Sequence, residues 1–200
     1  MKRLKSISIA IIGVTCLLLL VLIASRAQNA NSCSKPMNTQ LPSSDLGQIK
    51  HIAIQGSDVT IIGPNGGQLN FRKQRNTTDL TPIFGKPDRI TDFYAEMESE
   101  WWKKWEYPGA KFYIIPNKMF DSFEIGGPGF KLNVKGTILE VGKPIDELAK
   151  AFPDFKNYII KNRTVSFAFQ MADGKLSDEF MGITFDPVTR NITSMYNGMP

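Results

Sequence analysis

The predicted fold depends on one stretch of sequence, Thr77-Thr78-Asp79-Leu80-Thr81-Pro82-Ile83-Phe84-Gly85-Lys86-Pro87-Asp88. It begins with threonine and aspartate, carries apolar residues three and four apart, and ends at a glycine with a proline just beyond. These are the start and stop signals of a short helix. A similar stretch, Ile145-Asp146-Glu147-Leu148-Ala149-Lys150-Ala151-Phe152-Pro153-Asp154, lies 68 positions later and repeats the spacing of leucine and phenylalanine. The chain therefore reads as two similar halves.

Strand-like segments separated by turn residues surround both copies. A hairpin of Gln48–Gln55 with Val59–Ile62 opens the domain, and a second helix is expected from about Pro144 to Ala151. A three-stranded meander follows each helix. Repetition at a long period indicates duplicated structural units. We therefore predict an α+β fold of pseudo-duplicated antiparallel sheets with one short helix per half, the halves being residues 48–127 and 128–200, behind an N-terminal membrane or signal helix.

Residues 1–27 are predicted to be a signal anchor or a signal peptide. Met1 to Lys5 is basic, and Ile7 to Ala24 is apolar apart from small residues. The apolar run reaches the lower limit of about 17 residues for a membrane-spanning helix, which favours an uncleaved anchor. The alternative is a secretory signal cleaved after Ser25-Arg26-Ala27. Either alternative exports the rest of the chain, because the basic residues hold the N-terminus inside. We expect a single-pass inner-membrane protein with a periplasmic domain or, after cleavage, a secreted or periplasmic protein.

Residues 28–47 are rich in Asn, Ser, Gln and Pro and are predicted to be a flexible tether. The two cysteines, Cys16 and Cys33, both lie before the globular domain of residues 48–200, so we expect neither a disulfide nor a cysteine-bound zinc ion inside it. Cys33 is an idle thiol or pairs with another chain, and the first alternative is favoured. Ala30 stands where a lipoprotein signal has a leucine-like residue, so we expect no lipidation.

The formal net charge of +5 comes mainly from the leader. Lys2, Arg3, Lys5 and Arg26 lie there, and without them 20 basic residues face 19 acidic residues. A nucleic-acid binder normally carries a basic stripe on its folded part. The sequence shows no such stripe, so we expect no nucleic-acid partner.

The run from Leu80 to Arg89, Leu-x-x-x-Phe-Gly-Lys-Pro-Asp-Arg, followed by an aromatic strand, Pro-Gly and another strand, resembles a bacterial envelope pattern. It is similar to the helix-then-hairpin unit of the BamE and SmpA/OmlA group, and to uncharacterised exported bacterial proteins with two such units. In outline the resemblance covers Gln48 to Tyr196. It implies an exported envelope domain and no enzymatic activity.

No residue pattern indicates a catalytic, cofactor or metal site. His51 is the only histidine and is expected to be a solvated strand residue. A carboxylate hydrolase would have to use Glu96, Glu98, Glu100 or Glu106. The alternation of the first three is instead typical of the exposed face of a strand.

The best functional signal is Trp101-Trp102-Lys103-Lys104-Trp105-Glu106-Tyr107. Adjacent tryptophans on a strand point to opposite faces, so one of the first two is expected to be exposed unless a second layer covers it. Exposed Trp and Tyr beside charged residues are typical of protein-binding surfaces. The candidate partner-binding surface is Trp101, Trp102, Trp105 and Tyr107. The sequence thus predicts a non-catalytic envelope domain with a protein partner and a membrane contact through its N-terminal helix, and the alternative is an envelope hydrolase with carboxylate chemistry.

Overall fold

The structure, a computed structural model, describes residues 50–198, so the predicted leader and tether lie outside the described residues. The strands are β1 (Ile52–Ile54), β2 (Val59–Ile62), β3 (Gln68–Asn70), β4 (Arg89–Ala95), β5 (Glu100–Tyr107), β6 (Ala110–Ile115), β7 (Met119–Ile125), β8 (Lys131–Val134), β9 (Thr137–Glu140), β10 (Ile159–Ile160), β11 (Thr164–Gln170), β12 (Leu176–Phe185) and β13 (Ile192–Asn197). One α-helical turn, α1, spans Thr81–Phe84, and 3₁₀ helices span Gly56–Asp58, Ile145–Lys150 and Phe155–Tyr158.

The strands form two sheets. The larger has nine strands in the order β1-β11-β12-β13-β7-β6-β5-β4, with β10 paired to β11, and the smaller has the order β3-β2-β8-β9. The pair β1–β11 is parallel, with Ile52 opposite Phe167. The other pairs of the larger sheet are antiparallel, so this sheet is mixed.

The predicted α+β class is wrong, because the described residues are mostly β-structure. The first predicted helix is a single turn. The Asp79 side chain accepts a hydrogen bond from the Thr81 amide at its start, and Gly85, at a φ of 84°, ends it. The second predicted helix is the 3₁₀ helix Ile145–Lys150. No helix among residues 50–198 has the length and apolar character needed to cross a membrane.

The predicted hairpin of Gln48–Gln55 with Val59–Ile62 is also wrong, since β1 joins the larger sheet and β2 the smaller. The chain changes sheets at the 3₁₀ helix Gly56–Asp58. Gly56 is tightly enclosed there, because a Cβ at this position would stand 1.7 Å from Cγ of Arg72. A short turn with no room for a side chain thus separates two strands that local sequence alone would pair.

One hydrophobic core lies between the two sheets and α1. Phe84 of α1 stacks on Phe112 of β6, with ring centroids 5.3 Å apart, and contacts Phe130 just before β8 edge-on. Phe71, after β3, stacks on Phe169 of β11 at 5.1 Å. Each such ring contributes about 1.5–3 kcal/mol through burial. The aromatic side chains of both sheets therefore hold the domain together.

Both sheets combine strands from the two halves of the sequence. In the larger sheet β7 pairs with β13, and in the smaller β2 pairs with β8. The predicted boundary between residues 127 and 128 falls in the loop between β7 and β8. Residues on either side of it share one core, so the halves are not separate bodies.

Candidate functional site

The tryptophan-rich stretch forms β5 and does not make one surface. Trp105 and Tyr107 are buried in the core, and Trp102, on the opposite face, is 7% exposed. Of these four aromatic residues only Trp101 is exposed, at 64%. The structure therefore corrects the predicted partner-binding surface, because three of its four members are buried.

Trp102 begins a row of aromatic side chains that continues through Phe93 to Tyr113. Its cross-strand partner Phe93, on β4, has its ring centroid 6.4 Å away. Phe93 in turn packs edge-on against Tyr113 of β6 at 5.1 Å. A second aromatic layer thus lies on the outer face of the larger sheet, which is the face opposite the core.

The hairpin formed by β4 and β5 exposes an apolar surface to solvent. This hairpin surface consists of Ile90, Tyr94, Met97 and Trp101, whereas Phe93 lies with Trp102 on the opposite face of the hairpin. Tyr94 and Trp101 are cross-strand partners with ring centroids 5.1 Å apart, and Met97, in the turn, is 75% exposed. Among residues 50–198, β4 pairs only with β5, so it is an edge strand of the larger sheet.

A groove of about 890 Å³ lies beside this hairpin, between the β4–β5 turn and the outer face of the larger sheet. Its apolar lining includes Phe93, Trp102, Tyr113 and Tyr196. Strands β4, β5, β6, β7, β13 and β12 all contribute residues, and Thr184 marks the far end on β12. A volume of this size is typical of ligand-binding clefts.

The groove is acidic. Its charged lining residues are Glu96, Glu98, Asp121 and Glu124, and no lysine or arginine lines it. Glu124 is paired with Lys111 at 3.0 Å. A concave surface lined by one sign of charge concentrates the electrostatic field, so the groove attracts cations.

Asp121 is a partly buried carboxyl group of the groove. Burial raises its pKa above the ordinary value, and Glu179 and Glu98 raise it further. A hydrogen bond from Ser122 and the Arg75 guanidinium lower it, but burial is the largest effect. The carboxylate form of Asp121 is therefore short of compensating contacts in the folded domain.

Two buried polar atoms of residues that line the groove have no hydrogen-bond partner in the described part of the chain. They are Nε1 of Trp102, a donor, and Oδ1 of Asn197, an acceptor. The Asn197 Nδ2 group donates to Oε1 of Glu179 at 3.4 Å, so only one side of this amide is satisfied. Buried polar groups are usually paired.

His51 is half-buried, not solvated as predicted. Its Nδ1 lies 2.6 Å from Oγ of Ser166, a residue that is 3% exposed. No acidic side chain among residues 50–198 is hydrogen-bonded to His51, and the buried serine is closed to a substrate. The pair therefore joins the segment before β1 to β11 and does not form a nucleophile site.

The carboxylates named for a hydrolase do not form a site either. Glu96 and Glu98 lie in the β4–β5 turn and not on a strand face, which corrects the predicted alternation. Glu100 is paired with Lys118 at 2.8 Å. Within residues 50–198 no three acidic, histidine or cysteine side chains are grouped to hold a metal ion. Nothing positive in the described part indicates catalysis.

Sequence reasoning missed most of the residues that build the site. Phe93, Tyr94, Tyr113 and Tyr196 carry no role in the site predicted from the sequence. One signal was available. The adjacent aromatics Phe93-Tyr94 precede Trp101-Trp102 across a short polar segment, a spacing that pairs the two doublets in a hairpin.

No protein family matches the sequence, and no curated protein matches it. A match among solved structures is the 1.5 Å crystal structure of an extracellular protein containing a SCP domain from Bacillus anthracis str. Ames. The identity is 14%, the TM-score is 0.36, and the match covers 62% of this chain and 44% of that chain. The chain thus spans less than half of that protein, and a TM-score this low does not establish a shared fold. The similarity to the BamE group stays a prediction.

Proposed function

We propose that this chain is an exported, non-catalytic envelope module that binds a protein partner through the hairpin surface. The observation that carries the proposal is the apolar surface on an unpaired edge strand. Folded monomers rarely leave a large contiguous apolar patch in water. Aromatic residues and methionine are also enriched at protein interfaces, and three of the four hairpin-surface residues are of these types.

The edge of β4 suits an extended segment of the partner, added as a further strand. An edge strand presents unpaired backbone N–H and C=O groups. Natural edges are commonly protected by lysine or proline, and β4 contains neither. Its one acidic residue, Asp92, is paired with Lys103 of β5 at 2.6 Å. Backbone hydrogen bonds would supply affinity, and the exposed side chains would supply specificity.

The location of the partner follows from the leader. The basic and then apolar segment of residues 1–27 supports export, with anchoring in the inner membrane favoured over cleavage. The partner is therefore an envelope protein that meets the domain outside the cytoplasm. No observation on residues 50–198 favours the carboxylate hydrolase over this binding module.

Site-specific photo-crosslinking in intact cells tests the proposal. A photoreactive phenylalanine analogue replaces Tyr94 on the hairpin surface in full-length chain. The matched control carries it at Val188, which is apolar and 88% exposed but lies in the loop between β12 and β13. We expect one discrete adduct from position 94 and none from position 188, and we expect Trp101→Ala to reduce the adduct because Trp101 packs on Tyr94.

Two results would contradict the proposal. One is the absence of any adduct specific to position 94. The other is an adduct of two copies of this chain, with twice the mass of 22.4 kDa, since the edge strand would then pair with a second copy.

A further inference from the structure

The groove shares Tyr94 and Met97 with the hairpin surface, but its other lining residues give it a different chemistry. We infer that it binds an extended peptide segment carrying lysine or arginine side chains. The inference rests on the proposed function and deepens it, because it names the chemistry of the segment that the partner presents.

The charge of the groove lining favours a basic segment. Four carboxyl-bearing residues line the groove, and no basic residue does. The rest of residues 50–198 shows no such imbalance, since most other acidic groups are paired with a lysine or arginine, as Glu106 is with Lys104 at 2.8 Å. Complementary potential favours partners of the opposite sign and disfavours acidic ones.

The aromatic side chains of the groove also favour a cationic side chain. An ammonium or guanidinium group is attracted to the face of Trp, Tyr or Phe. Phe93, Trp102, Tyr113 and Tyr196 line the same groove as the carboxylates. This combination stabilises a cation and also packs against the aliphatic part of a lysine or arginine side chain.

The length of the groove favours a peptide over a compact ion. From β5 to β12 it crosses four strand spacings, about 19 Å in all. About six extended residues span that distance.

Isothermal titration calorimetry on the full-length chain in a neutral detergent tests the inference. The probe is a hexapeptide of alternating glycine and lysine with both ends capped. The comparison peptide is identical except that every lysine is acetylated, which removes the charge and keeps the length. We expect the lysine peptide to bind, and the acetylated peptide to bind about tenfold more weakly.

Two variants and one control locate the site. Glu98→Gln and Phe93→Ala are each expected to weaken binding of the lysine peptide about threefold, by removing one charge or one ring. Glu147→Gln removes an exposed carboxylate on the 3₁₀ helix Ile145–Lys150, away from the groove residues, and is expected to leave binding unchanged.

Equal binding of the two peptides, binding of neither, or an equal effect of Glu147→Gln and Glu98→Gln would overturn the inference. Tetramethylammonium that competes with the peptide at equal affinity would also overturn it, in favour of a small cation. The two proposals fail separately. An adduct at position 94 without peptide binding contradicts only the groove inference, and peptide binding without an adduct contradicts only the hairpin interface.

Discussion

Gly182 on β12 lies directly against the ring of Tyr196, its cross-strand partner on β13. A Cβ at position 182 would stand 2.3 Å from Cζ of Tyr196 and 2.4 Å from its hydroxyl oxygen. Glycine inside a strand commonly marks such a close approach. Because Gly182 has no side chain, the Tyr196 ring can occupy the space beside it in the groove lining.

Gly182→Ala is expected to destabilise the domain by about 1–3 kcal/mol, because the added methyl group must displace the Tyr196 ring. Urea unfolding followed by circular dichroism measures the change. In a Tyr196→Ala background the same glycine substitution is expected to cost much less. An equal cost in both backgrounds would contradict the role of the ring.

Alanine substitutions of the three tryptophans of β5 are expected to lower the free energy of unfolding by very different amounts. Trp105→Ala removes a buried ring and should cost about 3–5 kcal/mol, with Trp102→Ala close behind since Trp102 is also buried and packs against Phe93. Trp101→Ala, at an exposed position, should stay within about 0.5 kcal/mol. Thermal unfolding of the three variants checks this order. A large loss for Trp101→Ala would show that the hairpin surface is covered within the folded chain.

Asp121 makes stability depend on pH in the direction opposite to that of most carboxylates. Because burial raises its pKa in the folded state above the ordinary 3.8, its contribution is complete below the unfolded pKa and is lost as the pH rises through the folded pKa. Asp121→Asn is therefore expected to raise the melting temperature at about pH 7 and to leave it unchanged at about pH 3. Scanning calorimetry at both pH values measures the melting temperatures of the variant and of the unchanged chain. An equal gain at both would assign the effect to packing instead of charge.

Arg190 and Asp146 join the loop before β13 to the 3₁₀ helix Ile145–Lys150 through two contacts of 2.8 Å. Hydrogen bonding to the guanidinium lowers the pKa of Asp146, so this contribution is present above the unfolded pKa and is lost as the pH falls through the folded pKa. Both side chains are partly exposed, which limits Asp146→Asn to a loss of about 0.5–1 kcal/mol near neutral pH. Denaturant unfolding at low and high salt measures it.

Arg190→Lys serves as the control for the geometry of this pair, because it keeps the charge and removes the two-pronged contact. We expect it to lose part of the same stabilisation. A loss for Asp146→Asn that persists unchanged at about 1 M salt would contradict an ionic contribution at this exposed site.

Local sequence predicted several turns and strand faces well. Pro108-Gly109 connects β5 and β6, with Gly109 at a φ of 78°, as a hairpin turn requires. Leu80 and Phe84 enter the core as the apolar spacing of the opening stretch predicts. These features depend on neighbours in sequence. The predicted hairpin of Gln48–Gln55 with Val59–Ile62 was wrong because β1 pairs with β11 more than a hundred residues later, and no local pattern encodes that partner. The α+β class was wrong because the two predicted helices are a single α-helical turn and a 3₁₀ helix.

The sequence by itself determined where the chain turns, which positions alternate, and that the excess basic charge belongs to the leader, because those properties follow from residue type and spacing. Only the tertiary structure decided that Trp102 is buried while Trp101 is exposed. The alternation of a strand assigns the two tryptophans to opposite faces, but burial depends on what covers each face. Phe93 packs against Trp102 on one face, whereas the core does not extend to Trp101 on the other.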